Sequence, residues 1–165
     1  MTEPTLIGPS PRVYGVAIRD GEVLLVRAAS PHDGHEIWWL PGGGVDWGES
    51  PEVALVREFN EETGLTVTSS HLYCVLDDQR VRNNGDHVHT LRIVYLATLV
   101  DGELQHEADG STDYVAWVPL SELSNYHLAG YAEEAINQAL GMLKPPHDHE
   151  AHARALAPFR ATAQL

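Results

Sequence analysis

Short apolar runs of strand length, two segments with apolar residues at helical spacing, and their interspersed order predict a layered α/β or α+β domain. The chain of 165 residues is long enough for one core and fits a single domain.

The elements follow in order. "VYGVAI" and "EVLLVR" are apolar runs joined by "RDG", which predicts two strands of one hairpin with a tight turn. "SPHDGHE" is loop by composition, and "IWWL" is a short strand stopped by Pro41. "LTVTSSHLYCVL" continues as strand after Gly64. In "HTLRIVYLATL" one alternating face, Leu91, Ile93, Tyr95, Ala97 and Leu99, is wholly apolar, and the other, with Arg92, Val94, Leu96 and Thr98, is mostly so. That pattern suits a strand buried between layers. "DYVAWVPL" predicts another strand, and Leu128, Ala132, Ala135, Ile136, Ala139 and Leu140 recur at helical spacing in the last helix. The domain is expected over residues 1–143, with a tail over 144–165 that a Pro pair sets off. His147, His149 and His152 in that tail are a compositional hint of metal binding and no more.

Charge narrows the function. A formal net charge of −14, from 10 Lys+Arg against 24 Asp+Glu, argues against a surface that tracks nucleic-acid phosphates and against attraction to anionic membranes. A phosphate substrate would need a bound cation or a few placed arginines. Cys74 has no internal disulfide partner and is expected as a buried small hydrophobe. The start "MTEPTLIGPSP" lacks the basic flank and apolar run of a secretory signal, so a cytoplasmic chain is expected.

The stretch "LPGGGVDWGESPEVALVREFNEETGL" carries the chemistry. Ser50 suits an N-cap, Pro51 the first helical position and Gly64 a left-handed C-terminal residue, which predicts a helix from Pro51 to Thr63. Leu55, Val56, Phe59 and Thr63 are assigned to its core face, and Glu58, Glu61 and Glu62 to an outward acidic face. That acidic face is unfavourable locally. Glu58 and Glu62 are like charges at i,i+4, and all three lie where the helix dipole prefers cations. Removing the Glu62 charge is therefore expected to leave the metal-free protein unharmed or slightly more stable. Either the face is simply solvated, or a hard divalent cation such as Mg²⁺ sits against it.

Gly43, Glu49, Arg57, Glu58, Phe59, Glu61, Glu62, Gly64 and Leu65 decide between these, because their spacing resembles the complete Nudix box. Seven fixed positions, each at about one in fifteen, match by chance on the order of once in 10⁸ placements. The resemblance implies the Nudix fold, an α/β/α sandwich with a mixed β-sheet, and hydrolysis of a nucleoside diphosphate linked to another moiety. It implies metal ligation by Glu58 and Glu62, by Glu61 when further ions bind, and by a backbone carbonyl of the glycine loop, taken as Gly43. The cofactor so implied is Mg²⁺, with Mn²⁺ as a substitute. Gly42, Gly43 and Gly44 are expected to form a tight turn.

The remaining roles stay open. Arg57 is expected to pair with Glu49 and fix loop against helix, unless the pair is merely exposed; Glu49 can also orient the attacking water. Glu58 is the first choice of proton acceptor, with Glu107, Asp109 and Asp113 as alternatives. Arg12 and Arg27 sit at strand ends where similar proteins place arginines toward phosphates. Trp47 is the expected stacking surface for a base, one of Trp38 and Trp39 is expected in the core, and Tyr14 and Trp117 are read as packing residues. The family's substrate-subgroup markers are not found. The expected partner is a small nucleotide, with no stable nucleic acid, no membrane, and a homodimer as the oligomer to consider. A Nudix-type binding or regulatory module, and an isomerase on the same fold, are the other classes.

Overall fold

The computed structural model describes residues 6–29, 35–81, 85–106 and 110–143. In chain order the elements are β1 (Leu6–Val16), β2 (Ile18–Arg19), β3 (Glu22–Ala28), β4 (Trp38–Trp39) and β5 (Gly42–Gly44). Then come α1 (Pro51–Thr63), β6 (Leu65–Val81), β7 (His87–Gly102), β8 (Thr112–Pro119), a 3-10 turn (Leu120–Asn125) and α2 (Gly130–Leu143). The tail with its histidines lies outside the described residues, as do Glu107 and Asp109.

One sheet has the order β5-β1-β7-β6. It is mixed, because β1 runs parallel to β7 while the other pairs are antiparallel. The second sheet joins β2, β3 and β4, with β8 against the other edge of β3. The hairpin at "RDG" is therefore shorter than expected. Only Ile18 and Arg19 pair back onto β3, and "VYGV" belongs to the other sheet. Asp20 and Gly21 both take positive φ, 49° and 81°, the turn that suits two-residue hairpins.

Both strand faces are covered, which explains the unbroken apolar runs. Val13, Leu24, Val26 and Val115 face α1 and pack with Ala54, Leu55 and Phe59. Tyr14, Val16, Val23 and Leu25 face α2 and pack with Ala132, Ala135, Ile136 and Ala139. The result is the expected α/β/α arrangement about mixed sheet. Gly15 has a specific reason: a Cβ there would strike the Phe59 ring at 2.6 Å, so the glycine lets α1 seat flat on β1.

The helix termini are as the sequence indicates. Ser50 accepts from the Val53 N–H at 3.3 Å, and Gly64 takes φ 72° while its N–H donates to the Asn60 carbonyl. The helix faces are not. Val56 is exposed, and Glu62 is 3% exposed, inside the core face. At about 100° per residue Glu62 falls roughly 20° from Leu55, on the side away from Phe59, so its helical angle places it with the core face despite its charge. α2 begins at Gly130, after Leu128 has bridged to Trp38. Trp38 is the buried member of the tryptophan pair, and Cys74 is half-buried rather than buried.

On β7 the more buried face is the one carrying Val88, Thr90, Arg92 and Val94, while Leu91 and Ile93 are half-buried. Among the described residues no helix is long and apolar enough to cross a membrane.

Candidate active site

The three glycines form a strand, not a turn: Gly42, Gly43 and Gly44 pair with Tyr14, Val13 and Arg12 of β1. Their small size is needed even so. A Cβ on Gly42 would collide with the Val13 carbonyl, and one on Gly43 would collide with the Glu58 carboxylate. β5 and α1 therefore touch through bare backbone on one side and carboxylates on the other. The chain reverses after β5, at Asp46 to Gly48, where Gly48 has φ 83°.

Glu62 is the buried carboxylate of the three and accepts the Gly42 N–H at 2.8 Å. It is a bonded group, which argues against the expectation that its charge is dispensable in the metal-free protein. Glu58 lies against Gly43 with its side chain 15% exposed, and burial raises its pKa above the ordinary carboxylate value against the lowering pull of Arg57. Glu61, at 51%, faces solvent.

Arg57 fastens this assembly. Its Nε and Nη2 donate to the two oxygens of Glu49 at 3.0 and 2.8 Å, and Nη2 also donates to the Gly44 carbonyl at 2.9 Å. Its Nη1 donates to Glu58 at 2.9 Å and Glu61 at 3.2 Å. Helix, turn and β5 are thus held by one fork, which lysine could not reproduce. The hydrogen bond to Glu49 is the main cause that holds the Arg57 pKa well above its ordinary value. Glu49 also accepts the Asp46 N–H at 3.1 Å, and its pKa is lowered, chiefly by Arg57.

Arg12 stands beside Gly44 in the β1–β5 register and close enough to Glu58 to lower its pKa. Arg27 is engaged elsewhere: Nε and Nη2 donate to Asp113 at 2.9 and 3.2 Å, and Nη1 to Glu36 at 2.9 Å. The arginine expected at phosphates and the loop acid expected as a base are thus partners of each other. Trp47 is fully exposed and is not among the residues that line the cavity described below.

A cavity of about 460 Å³ opens on the α2 side of the mixed sheet, and Gly42 and Arg12 belong to its lining. Arg12, Tyr14, Trp39, Arg92 and Tyr131 are its largest side chains. Arg92 and Tyr131 escaped the sequence reading. The available signal was a lone arginine inside the apolar run of β7.

With this geometry in view, kinship is decided by the NUDIX domain description, which matches residues 9–139. The chain belongs to the Nudix family. It is 34% identical over 117 residues to a putative ADP-ribose pyrophosphatase, YjhB of Bacillus subtilis, an alignment covering 70% of this chain and 53% of that protein. It is 34% identical over 112 residues to the nucleoside triphosphatase NudI of Klebsiella pneumoniae, covering 66% of this chain and 80% of that one. The chain thus spans about half the length of the Bacillus relative. A MutT Nudix hydrolase structure from Burkholderia pseudomallei superposes with TM-score 0.61 at 30% identity, over 79% of this chain and 98% of that one. A Nudix hydrolase from Nitrosomonas europaea shares the fold at TM-score 0.68 and 23% identity, over 86% and 95%.

Proposed function

We propose that the chain hydrolyses a diphosphate bond in a nucleoside diphosphate linked to a second moiety, a nucleotide sugar such as ADP-ribose or a nucleoside triphosphate, with a divalent cation as cofactor. The observation that carries this reading is the close fit of the Glu58 carboxylate onto the bare Gly43 backbone, with Arg57 bonded to Glu58 and to the neighbouring Gly44 carbonyl. The names of the Bacillus and Klebsiella relatives suggest the two substrate types.

The donors suit a hard cation of the Mg²⁺ or Mn²⁺ kind: three carboxylates and a backbone carbonyl, all oxygen. Among the described residues no three acidic or imidazole groups converge as a finished ligand set. Arg57 Nη1 bridges Glu58 and Glu61, and Glu62 is turned to Gly42. Glu58, Glu61, Glu62 and the Gly43 carbonyl would hold the ion. When bound, such an ion neutralises phosphate oxygens and makes a water more acidic.

The chain's own residues supply the rest. Arg12 faces the phosphates at the cavity mouth, Arg57 and Glu49 hold β5 against α1, and Glu58 accepts the water's proton. Asp113 is left out of that role because Arg27 holds both its oxygens. A small soluble nucleotide is the partner; a cytoplasmic location belongs to the same proposal.

The test is release of phosphate or nucleoside monophosphate from ADP-ribose, other nucleotide sugars and nucleoside triphosphates with Mg²⁺, Mn²⁺ or EDTA. Metal-dependent turnover of at least one is expected. Glu61→Gln is expected to lower kcat on the order of 10²-fold while leaving the melting temperature in EDTA unchanged. Full activity in excess chelator would overturn the reading.

A further inference from the structure

A separate groove of about 300 Å³ lies between the 3-10 turn and α2. Leu123, Tyr126 and Leu128 line it from the turn and the chain after it, and Glu133, Ile136 and Asn137 line it from α2. Ile136 is buried, the three apolar residues of the turn side are half-buried, and Glu133 and Asn137 are exposed at the rim. The turn side reaches the core: Leu128 pairs with Trp38 through the backbone, and the Tyr126 ring meets the Trp38 ring edge-on with 5.2 Å between centres.

The charge around this groove is one-sided. Residues 120–143 hold Glu122, Glu133 and Glu134 and no lysine or arginine. No basic residue in the last turn of α2 meets the negative end of the helix dipole. An occupant with apolar side chains and positive charge is the one that fits.

The chain itself carries such a segment. Residues 144–165 follow α2, and three of the ten Lys and Arg residues fall there. The two acids of that stretch, Asp148 and Glu150, come first, and "ARALAPFR", from Ala153 to Arg160, then sets Leu156 and Phe159 between Arg154 and Arg160. It is opposite to the groove in sign and like it in apolarity.

Reach favours this segment over a free partner. Asn137 stands six residues, about 9 Å of helix, before the end of α2 at Leu143. Residues 144–153 can span up to about 33 Å, so they return to the groove with slack. A segment tethered in this way acts at an effective concentration on the order of millimolar, which a separate peptide of the same chemistry would have to exceed.

We propose that the segment Arg154–Arg160 turns back along α2 and seats Phe159 in this groove, with its arginines against Glu122 and Glu133. The docking goes beyond the hydrolytic reading and does not depend on it.

The experiment is the methyl NMR spectrum of the full chain, wild type against Phe159→Ala, in dilute and in concentrated solution. A docked phenyl ring displaces nearby methyl resonances by its ring current. Those of Leu123, Leu128 and Ile136 are therefore expected to move in Phe159→Ala, while those of Leu24 and Leu55, which pack in the α1 layer, stay where they are. Glu133→Lys changes an exposed residue and keeps Phe159. It is expected to move the same three residues part of the way toward their Phe159→Ala positions, because one surface charge pair carries only part of the affinity. Groove methyls that ignore Phe159→Ala overturn the proposal and leave the groove to a separate basic partner. A shift seen only in the concentrated sample overturns it as well, since the occupant is then the tail of a second copy.

Discussion

The two helical layers fasten to the same strands in different ways. On the α1 side every nitrogen of Arg57 has a carboxylate or carbonyl partner, Glu62 is bonded to backbone, and Tyr95 donates to Glu52 at 2.8 Å. On the α2 side Ala132, Ala135 and Ala139 give a close, apolar seat, while Arg12 and Arg92 each keep a buried Nε without an acceptor among the described residues. A buried donor without a protein partner is completed by water or a ligand, and the α1 side has one as well, the Trp117 indole N–H. The first layer is thus fastened largely by polar bonds to its carboxylates, and the second by apolar contact.

If α1 is primarily a packed platform, its largest sensitivity is apolar. Phe59 is fully buried against β1, and Phe59→Ala is expected to cost about 3–5 kcal/mol by truncation of the core. Chemical denaturation in EDTA measures it. A loss under about 1 kcal/mol would mean that the polar fastening, rather than packing, holds the helix.

Arg57→Lys tests the fastening itself. Lysine keeps the charge but cannot meet both oxygens of Glu49 and the Gly44 carbonyl together. We expect about 1–2 kcal/mol of destabilisation, within the range for hydrogen bonds to charged groups, and a fall in kcat on the order of 10²-fold from misplacement of β5 against the helix. Unaltered kcat alongside a raised KM would move Arg57 from a strut to a substrate contact.

What was legible in the sequence divides along the same line. The α1 layer was readable because its parts are contiguous: cap, helix, carboxylates and the Arg57–Glu49 pair lie within residues 43–65. Even there, the charge of Glu62 points to solvent while its helical angle points inward, and the side chain is buried. The cavity was not readable because Asp78, Arg92 and Tyr131 come from three distant segments. Arg12 meets Arg92 only through the parallel β1–β7 register, which no local pattern encodes. Arg27 and Asp113 were each singled out alone; their union depends on the β3–β8 pairing.

Glu62→Gln tests the bond to Gly42 at smaller cost. The amide oxygen can still accept the Gly42 N–H, but the charge-assisted part of that bond is lost, so the metal-free protein should be destabilised by about 1 kcal/mol. Thermal or urea denaturation in EDTA gives the sign. A stabilised variant would restore the view that like-charge repulsion dominates at this position.

The smallest expected effect is a slope. Glu49 and Glu58 share Arg57 yet shift in opposite directions. Arg57 and the Asp46 N–H lower the Glu49 pKa from 4.5 in the folded chain, whereas burial raises that of Glu58. For Glu49 the charged form is favoured by folding, so its contribution is present above the ordinary pKa and is lost as pH falls through the lowered folded value. For Glu58 the neutral form is favoured, so its contribution is present below the ordinary pKa and is lost as pH rises through the raised folded value. The melting temperature of the metal-free protein, followed in EDTA from about pH 6 down to about pH 3, should therefore fall less steeply in Glu49→Gln than in the wild type, and more steeply in Glu58→Gln. If all three curves have the same slope, the two carboxylates titrate alike with and without the fold, and the Arg57 clamp is a contact without energetic weight.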